Sequence, residues 1–410
     1  MNVPSSISSS SRRIPQGHWL AVLAIALIAL VLVICAMEFR LAARGFEPTI
    51  IDSQALWIKQ RERASALGAN ALVLLGNSRM QLDLDTATLR SQTRLSPVQL
   101  AIDNSSFVPI LAGLARDPSI RGTVLVAYSD KYLANPVEYD AADQYQIAFD
   151  SAPHFRRIPD FAASETWLTD RLHGSLRSYA DGARPVSSLL LRILDARATP
   201  QYLAILPDRS RRADYRRVDT TDLRGSYYTS VIRILDSKLP VDPTLSASDA
   251  ELELQRRIAT LMPENGDRFD RALRSIDAMV KAIQSRGGRV IFVVLPTSGL
   301  VTAADNARYP RTRFWNRFVA STTAGTLHFE DLPSLRGYTC PDGSHLDARD
   351  TKRFTSALVK AIGLDGSPHG AAAGHRAGSL EERFGGLAPG AHARDADRVQ
   401  HQPFYVVQRR

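Results

Sequence analysis

The run Ala71-Leu72-Val73-Leu74-Leu75 is apolar without a break, and Gly76-Asn77-Ser78-Arg79 stops it. Five consecutive apolar residues bounded by turn formers read as a strand covered on both faces, because a half-exposed strand would alternate. The pattern recurs at 97–102, 123–128, 289–295 and 326–329, with the first strand taken as 70–75. Between these runs lie stretches of helical spacing. Over 268–285, Ala272, Ile276, Met279, Val280 and Ile283 share one face, and Gly287-Gly288 ends the helix. Asp52-Ser53 is positioned to cap a helix to Leu67, and Asp83 or Asp85 one to Arg90. Further helices are predicted over 108–115, 314–320 and 348–362. Strands that alternate with helices build a parallel sheet with helices on both faces. The predicted class is α/β, with a parallel five-stranded sheet spread over 68–363.

The interval 131–265 breaks this rhythm. It is rich in Tyr, Arg and Pro, with helical patches at 164–176, 186–194 and 230–235. It reads as a large, mainly helical insertion between the third and fourth strands, big enough to wall or cover a site. Residues 364–410 are Gly-, Ala-, His- and Arg-rich without periodicity and read as a disordered tail. The histidines at 369, 375, 392 and 401 lie there at spacings that suit no metal site.

From Trp19 to Met37 no residue is charged. About 20 apolar residues cross the hydrocarbon as a helix, so a span over 18–38 is expected, with a juxtamembrane helix over 39–67. Trp19 and Phe39 fit the interfacial preference of aromatic rings. The exit Cys35-Ala36-Met37-Glu38 is poor for a cleavage site, which favours an uncleaved signal anchor over a cleaved signal peptide or a core helix. Arg12 and Arg13 precede the span and Arg40 and Arg44 follow it, so the flanking charges are nearly balanced. With no second span, a Ser-rich, disordered cytoplasmic segment over 1–17 and an exported globular part are expected.

The formal charge of +9 is carried by scattered Arg, which suits anionic headgroups or polysaccharide. No zinc-finger, RNP or basic-zipper pattern supports nucleic acid as a partner. No dinucleotide or Walker loop follows the first strand, and the two cysteines, Cys35 and Cys340, offer neither zinc spacing nor a disulfide. No cofactor and no metal are expected. Arg209, Arg211, Arg212, Arg216 and Arg217 surround Asp208, Asp214 and Asp219. They read as a solvated helix face with ion pairs or, alternatively, as a contact for an anionic polymer.

The chemistry-bearing pieces are Ser78 and, near the far end, Asp342-Gly343-Ser344-His345. A serine hydroxyl needs a neighbouring base to become a nucleophile. It must also stand clear of the sheet, and a sharp turn from strand to helix does this. Gly76 lets the chain turn tightly and Asn77 tolerates unusual dihedrals. His345 is the natural base, and Asp342 can orient it. Both groups follow strands, so both belong to the carboxyl end of the sheet, where ligands of open α/β folds gather. Each motif has a plainer reading. Ser78 fits a helix N-cap, and Ser344-x-x-Asp347 fits a capping box with His345 a bystander. Cys340 lacks a cationic partner in sequence, so a nucleophilic role is not expected.

Gly76-Asn77-Ser78-Arg79 and Asp342-Gly343-Ser344-His345 together resemble the first and last blocks of the SGNH (GDSL-like) hydrolase superfamily. The likeness is greatest to its membrane-anchored branch, which includes alginate O-acetyltransferase-type proteins. It covers about 68–130 and 266–363. It implies a flavodoxin-like three-layer sandwich, a Ser78–His345–Asp342 triad, and a serine esterase or O-acyltransferase. The acyl group would be acetyl on a cell-envelope glycan, in an extracytoplasmic domain (periplasmic in a Gram-negative cell), with a membrane partner as a possible acyl donor. The middle blocks depart from the pattern. Asp103-Asn104-Ser105-Ser106 follows the second strand and Ser129-Asp130 the third. The oxyanion candidates are therefore the Ser78 amide and a donor at Asn104 or Ser105; Arg79 and Asp130 are candidates for binding substrate. Arg79 also fits a brace that pairs with a nearby carboxylate. A missing oxyanion donor costs about 10²–10³ in rate, so the departure also suits a non-catalytic scaffold of the same fold in envelope polysaccharide assembly.

Overall fold

The computed structural model describes residues 18–136, 140–151, 168–169, 171–178, 199–236 and 239–365. The readings for 1–17, for 186–194, for 164–167 and 170 and for the tail from 366 lie outside these residues. Helix α1 (Trp19–Ala43) is long and apolar enough to span a membrane. The chain then runs through α2 (Gln54–Leu67), β1 (Ala71–Leu75), α3 (Ser78–Leu82), α4 (Thr86–Thr93), β2 (Ser96–Gln99), α5 (Val108–Arg116) and β3 (Thr123–Ala127). Next come α6 (Lys131–Ala134), α7 (Ala141–Ser151), β4 (Leu203–Ile205), β5 (Arg211–Ala213), α8 (Thr220–Leu235) and α9 (Ala247–Ala259). The last part holds α10 (Asp267–Gln284), β6 (Arg289–Val294), α11 (Gly299–Arg308), α12 (Trp315–Ser321), β7 (Gly325–His328), α13 (Pro333–Arg336) and α14 (Ala348–Ala361).

Five strands pair in parallel in the order β2-β1-β3-β6-β7. Val73 sits opposite Val98 on one side and Val124 on the other, so β1 is an interior strand and its apolar run is buried throughout. Alternate residues feed two cores. Val73, Val98, Val124, Val126 and Phe292 pack with Trp57, Leu111, Phe269, Ile276 and Phe318. Leu72, Leu74, Leu125, Ile291 and Val293 pack with Met80, Leu89, Phe354 and Leu358. Each such side chain taken fully from water stabilises the fold by about 1.5–3 kcal/mol. A smaller core joins Tyr227 and Val231 of α8, Leu254 of α9 and Val301 of α11.

Two expectations need correction. Residues 39–67 are not one helix. The apolar helix continues to Ala43, Gly45 turns the chain at φ +85°, and α2 restarts only where Ser53 accepts from the Leu56 amide. The stretch between is a strap lodged in the domain. Phe46, Thr49 and Ile50 are buried, and Ile50 and Thr49 bond across to Ile205. The segment 131–265 also holds an antiparallel hairpin, β4–β5, which carries the arginine cluster. The arginines 209–212 therefore do not lie on a helix face. Arg209 is buried at a positive φ, where its guanidinium clasps Asp52 at 2.5 Å and the carbonyls of Gln99 and Ala101. Arg211 pairs with Asp52 and Asp103, Arg212 with Glu47, and Arg216 and Arg217 with Asp214. Arg209, Arg211 and Arg212 thus hold the hairpin to the strap, while Arg216 pairs with Asp214 close by in sequence.

Candidate active site

All strands of the main sheet are parallel, so the loops after β1, β3, β6 and β7 share one edge. Gly76 leaves β1 at φ +136°, and a Cβ there would lie 2.7 Å from Ala127 Cβ. Only glycine allows the turn to press this closely against the end of β3. Asn77 then caps α3, its side chain accepting from the Arg79 amide and donating to the Tyr132 hydroxyl at 3.1 Å. Asn77 is thus the helix cap, and Ser78 is the first helical residue, with its hydroxyl free for another partner.

That partner is His345. Its Nε2 lies 2.8 Å from Ser78 Oγ, and its Nδ1 lies 2.7 Å from Asp342 Oδ2. Asp342 Oδ1 accepts from the Ser344 and His345 amides. The Ser344 amide is committed there, and α14 is capped instead by Asp347, which accepts from the Arg349 amide. Gly343, at φ +80°, makes the turn that brings Asp342 back to His345. The loop after β6 holds this turn in place, since the Ser298 amide donates to the Gly343 carbonyl and Ser298 Oγ accepts from the Cys340 amide.

Burial works against a charge on Asp342, yet the imidazole, the amides and a tyrosine hydroxyl outweigh it and hold the carboxyl at about 2. It is ionised at neutral pH and can only accept. His345 Nδ1 therefore carries the proton, which leaves the Nε2 lone pair facing the serine hydroxyl. Burial alone would lower His345, but the charge and hydrogen bond of Asp342 raise it above the ordinary 6.5.

The other candidates divide. Ile102 donates to the Gly76 carbonyl, so the loop after β2 begins beside the serine turn. Ser105 spends its amide on the Ile102 carbonyl and its hydroxyl on the Asp103 carbonyl, so neither is free as an oxyanion donor. Asn104 is exposed at φ +50°, and no hydrogen bond links it to Ser78 or His345. The Ser78 amide, at the first turn of α3, has no intrahelical acceptor. Arg79 lies 3.6 Å from Asp305 on α11. Both line a small cleft of about 50 Å³ with Asp130, Thr302, Tyr309 and Trp315. Asp130 accepts from the Tyr128 hydroxyl at 2.7 Å, and burial pushes its carboxyl up to about 7. Cys340 is buried against the Pro296 carbonyl, and burial raises its thiol well above the usual range. Among the described residues no group of three His, Cys, Asp or Glu could hold a metal ion.

Three residues near the site escape the sequence reading. Tyr215 donates its hydroxyl to Asp342 Oδ2 at 2.8 Å and its amide to Asp347. Asp83, fully buried, accepts from the Leu346 amide at 2.9 Å. Asp305 supplies the carboxylate beside Arg79. Tyr215 sits among the arginines read as a solvated face, and Asp305 belongs to a helix with no strong apolar spacing. Only the Asp83 position carried a signal, as a candidate helix cap. No family model matches the chain, and no curated protein or solved structure matches it either.

Proposed function

We propose that the protein is a serine esterase or O-acyltransferase of the SGNH-like type, with a flavodoxin-like three-layer arrangement. It would be anchored by α1, with the domain extracytoplasmic, and act on acyl esters, acetyl above all, of a cell-envelope glycan. The observation that carries the reading is the contact of Ser78 Oγ with His345 Nε2 at 2.8 Å, with Asp342 on the far ring nitrogen. Ser78 Oγ attacks the ester carbonyl as His345 Nε2 takes the hydroxyl proton, giving a tetrahedral oxyanion. Asp342 stabilises the imidazolium that forms. The Ser78 amide faces the developing charge at the start of α3. The carbon–oxygen bond to the leaving alcohol breaks as His345 returns the proton to it, and an acyl-serine remains. Water or a sugar hydroxyl then gives its proton to His345 and attacks the acyl carbon, freeing Ser78.

The cleft that Arg79, the residue after Ser78, lines would suit a hydroxyl-rich acceptor. Its carboxylates at Asp130 and Asp305 accept from hydroxyls, Arg79 donates, and aromatic rings flank them. Ser78→Ala should lower turnover of a small acetyl ester by at least about 10³-fold and abolish labelling by a fluorophosphonate. Full activity in Ser78→Ala overturns the mechanism. One observation favours the rival reading, a non-catalytic scaffold: both donors of Ser105 are engaged, which leaves the oxyanion site short. Folded protein that resists the phosphonate yet binds glycan would establish that rival.

A further inference from the structure

Asp83 joins the two halves of the site. It is the residue that ends α3, the helix Ser78 begins, and its amide donates to the Arg79 carbonyl. Its Oδ1 accepts from the amide of Leu346, the residue directly after His345, at 2.9 Å. Its side chain is fully buried, and Oδ2 has no hydrogen-bond partner. An aspartate used only as a helix cap would sit where water reaches its spare oxygen. A buried carboxylate with one donor is costly to keep, and an asparagine or serine would hold the Leu346 amide without the charge.

We infer that Asp83 is a second carboxylate acting on His345, a positioning residue that clamps the serine's helix to the base and loads the imidazole electrostatically. The inference rests on the serine–histidine reading above. The charged and titratable groups facing Asp83 come from every side. They are His345, Asp342 and Cys340 on the loop before α14, Arg79 on its own helix, and Tyr215 after the hairpin. Burial raises Cys340 and Tyr215 well above their usual values, so both are neutral. The fields of His345 and Arg79 favour the Asp83 anion, and burial and Asp342 oppose it. Burial dominates and leaves its carboxyl at about 7; His345 is itself raised, by the charge and hydrogen bond of Asp342 and by the Asp83 charge. Asp83 is tied to the backbone one residue from His345, and each charge acts on the other. The Asp83 anion stabilises the imidazolium, so it makes Nε2 a stronger base. Removing that charge must therefore lower the pH at which His345 loses its proton.

The test uses the full chain in detergent and two readouts. One is the pH dependence of fluorophosphonate labelling at Ser78. The other is the titration of ¹³C-labelled histidine, with the His345 signal assigned by its loss in His345→Gln. In Asp83→Asn both the acid limb of labelling and the His345 midpoint should fall by about one pH unit. A clamp without electrostatic action would leave the midpoint in place, and an unchanged midpoint overturns the inference. Wild-type protein that is not labelled overturns the serine reading instead, and the histidine titration still decides the Asp83 question. If Asp83→Asn does not fold, the wild type suffices. Its ¹³C-aspartate signal for Asp83 should move in step with His345, and a signal that stays flat through the His345 transition overturns the inference.

Discussion

Tyr215→Phe removes a single oxygen from the site and leaves the ring in place. The Tyr215 hydroxyl donates to Asp342 Oδ2 at 2.8 Å, a hydrogen bond to a charged acceptor. Such bonds contribute about 1.5–3 kcal/mol. Asp342 keeps its bonds from the Ser344 amide, the His345 amide and His345 Nδ1, so the lower part of that range applies. Freed of that anchor, Asp342 and the His345 ring can shift from Ser78, and a barrier raised by about 1.5–2 kcal/mol corresponds to a fall of about 10- to 30-fold in kcat/KM. The sign of the pH effect follows from the same contact. Without the hydroxyl, Asp342 pulls harder on the Nδ1 proton, the imidazolium gains stability, and His345 titrates higher. The acid limb should thus move up in pH, opposite to its shift in Asp83→Asn. Packing is retained, because the ring lies among Leu82, Ala213 and Leu223 and beside Tyr202. The assay is kcat and KM for 4-nitrophenyl acetate from about pH 5 to about pH 9, with melting curves as a control for folding. Activity within about two-fold of wild type across that range, with an unmoved limb, would refute the reasoning.

Arg209→Ala should destabilise the domain by about 3–5 kcal/mol, because the buried guanidinium is the main ion-pair partner of Asp52 and donates to the Gln99 and Ala101 carbonyls; an unchanged urea midpoint counts against this. Gly343→Ala should abolish phosphonate labelling while the protein stays folded. The new Cβ would meet Val301 at 2.5 Å and Tyr227 at 2.7 Å, and φ there is +80°, so the turn from Asp342 to His345 has to move. Labelling at the wild-type rate would show that the turn tolerates the change.

The sheet was legible because its signal is local. Strands such as Ala71–Leu75 and Arg289–Val294 are unbroken apolar runs, and the structure shifts their predicted limits by only a residue or so. The long amphipathic helices α10 and α14 carry their own periodicity, and both appear within a residue of the expected limits. Ser78, Asp342 and His345 could be named because turn residues surround them in short motifs. The features that were missed depend on contacts across long stretches of chain. The hairpin β4–β5 has three residues per strand, too few for a period to show, and its arginines resemble surface charge until Asp52 is seen beside them. Tyr215 reaches Asp342 across 127 residues, and no spacing in the sequence announces that contact. Asp305 stands on α11, a short helix whose apolar residues are mostly alanine and mark its face weakly. The plainer reading of the last motif, a capping box begun by Ser344, does not form. Asp347 caps α14, while His345 does something else.

Removing the apolar helix is a different operation from removing the strap beyond it. Asp52 in the strap holds Gln81 on the serine's own helix, and Glu47 holds Arg217, two residues from Tyr215. A shortened chain begun at Gly45 keeps both grips, while one begun at Gly68 releases the two sides of the site together. The strap, and not the apolar helix before it, is thus the part of this N-terminal stretch that both halves of the site lean on.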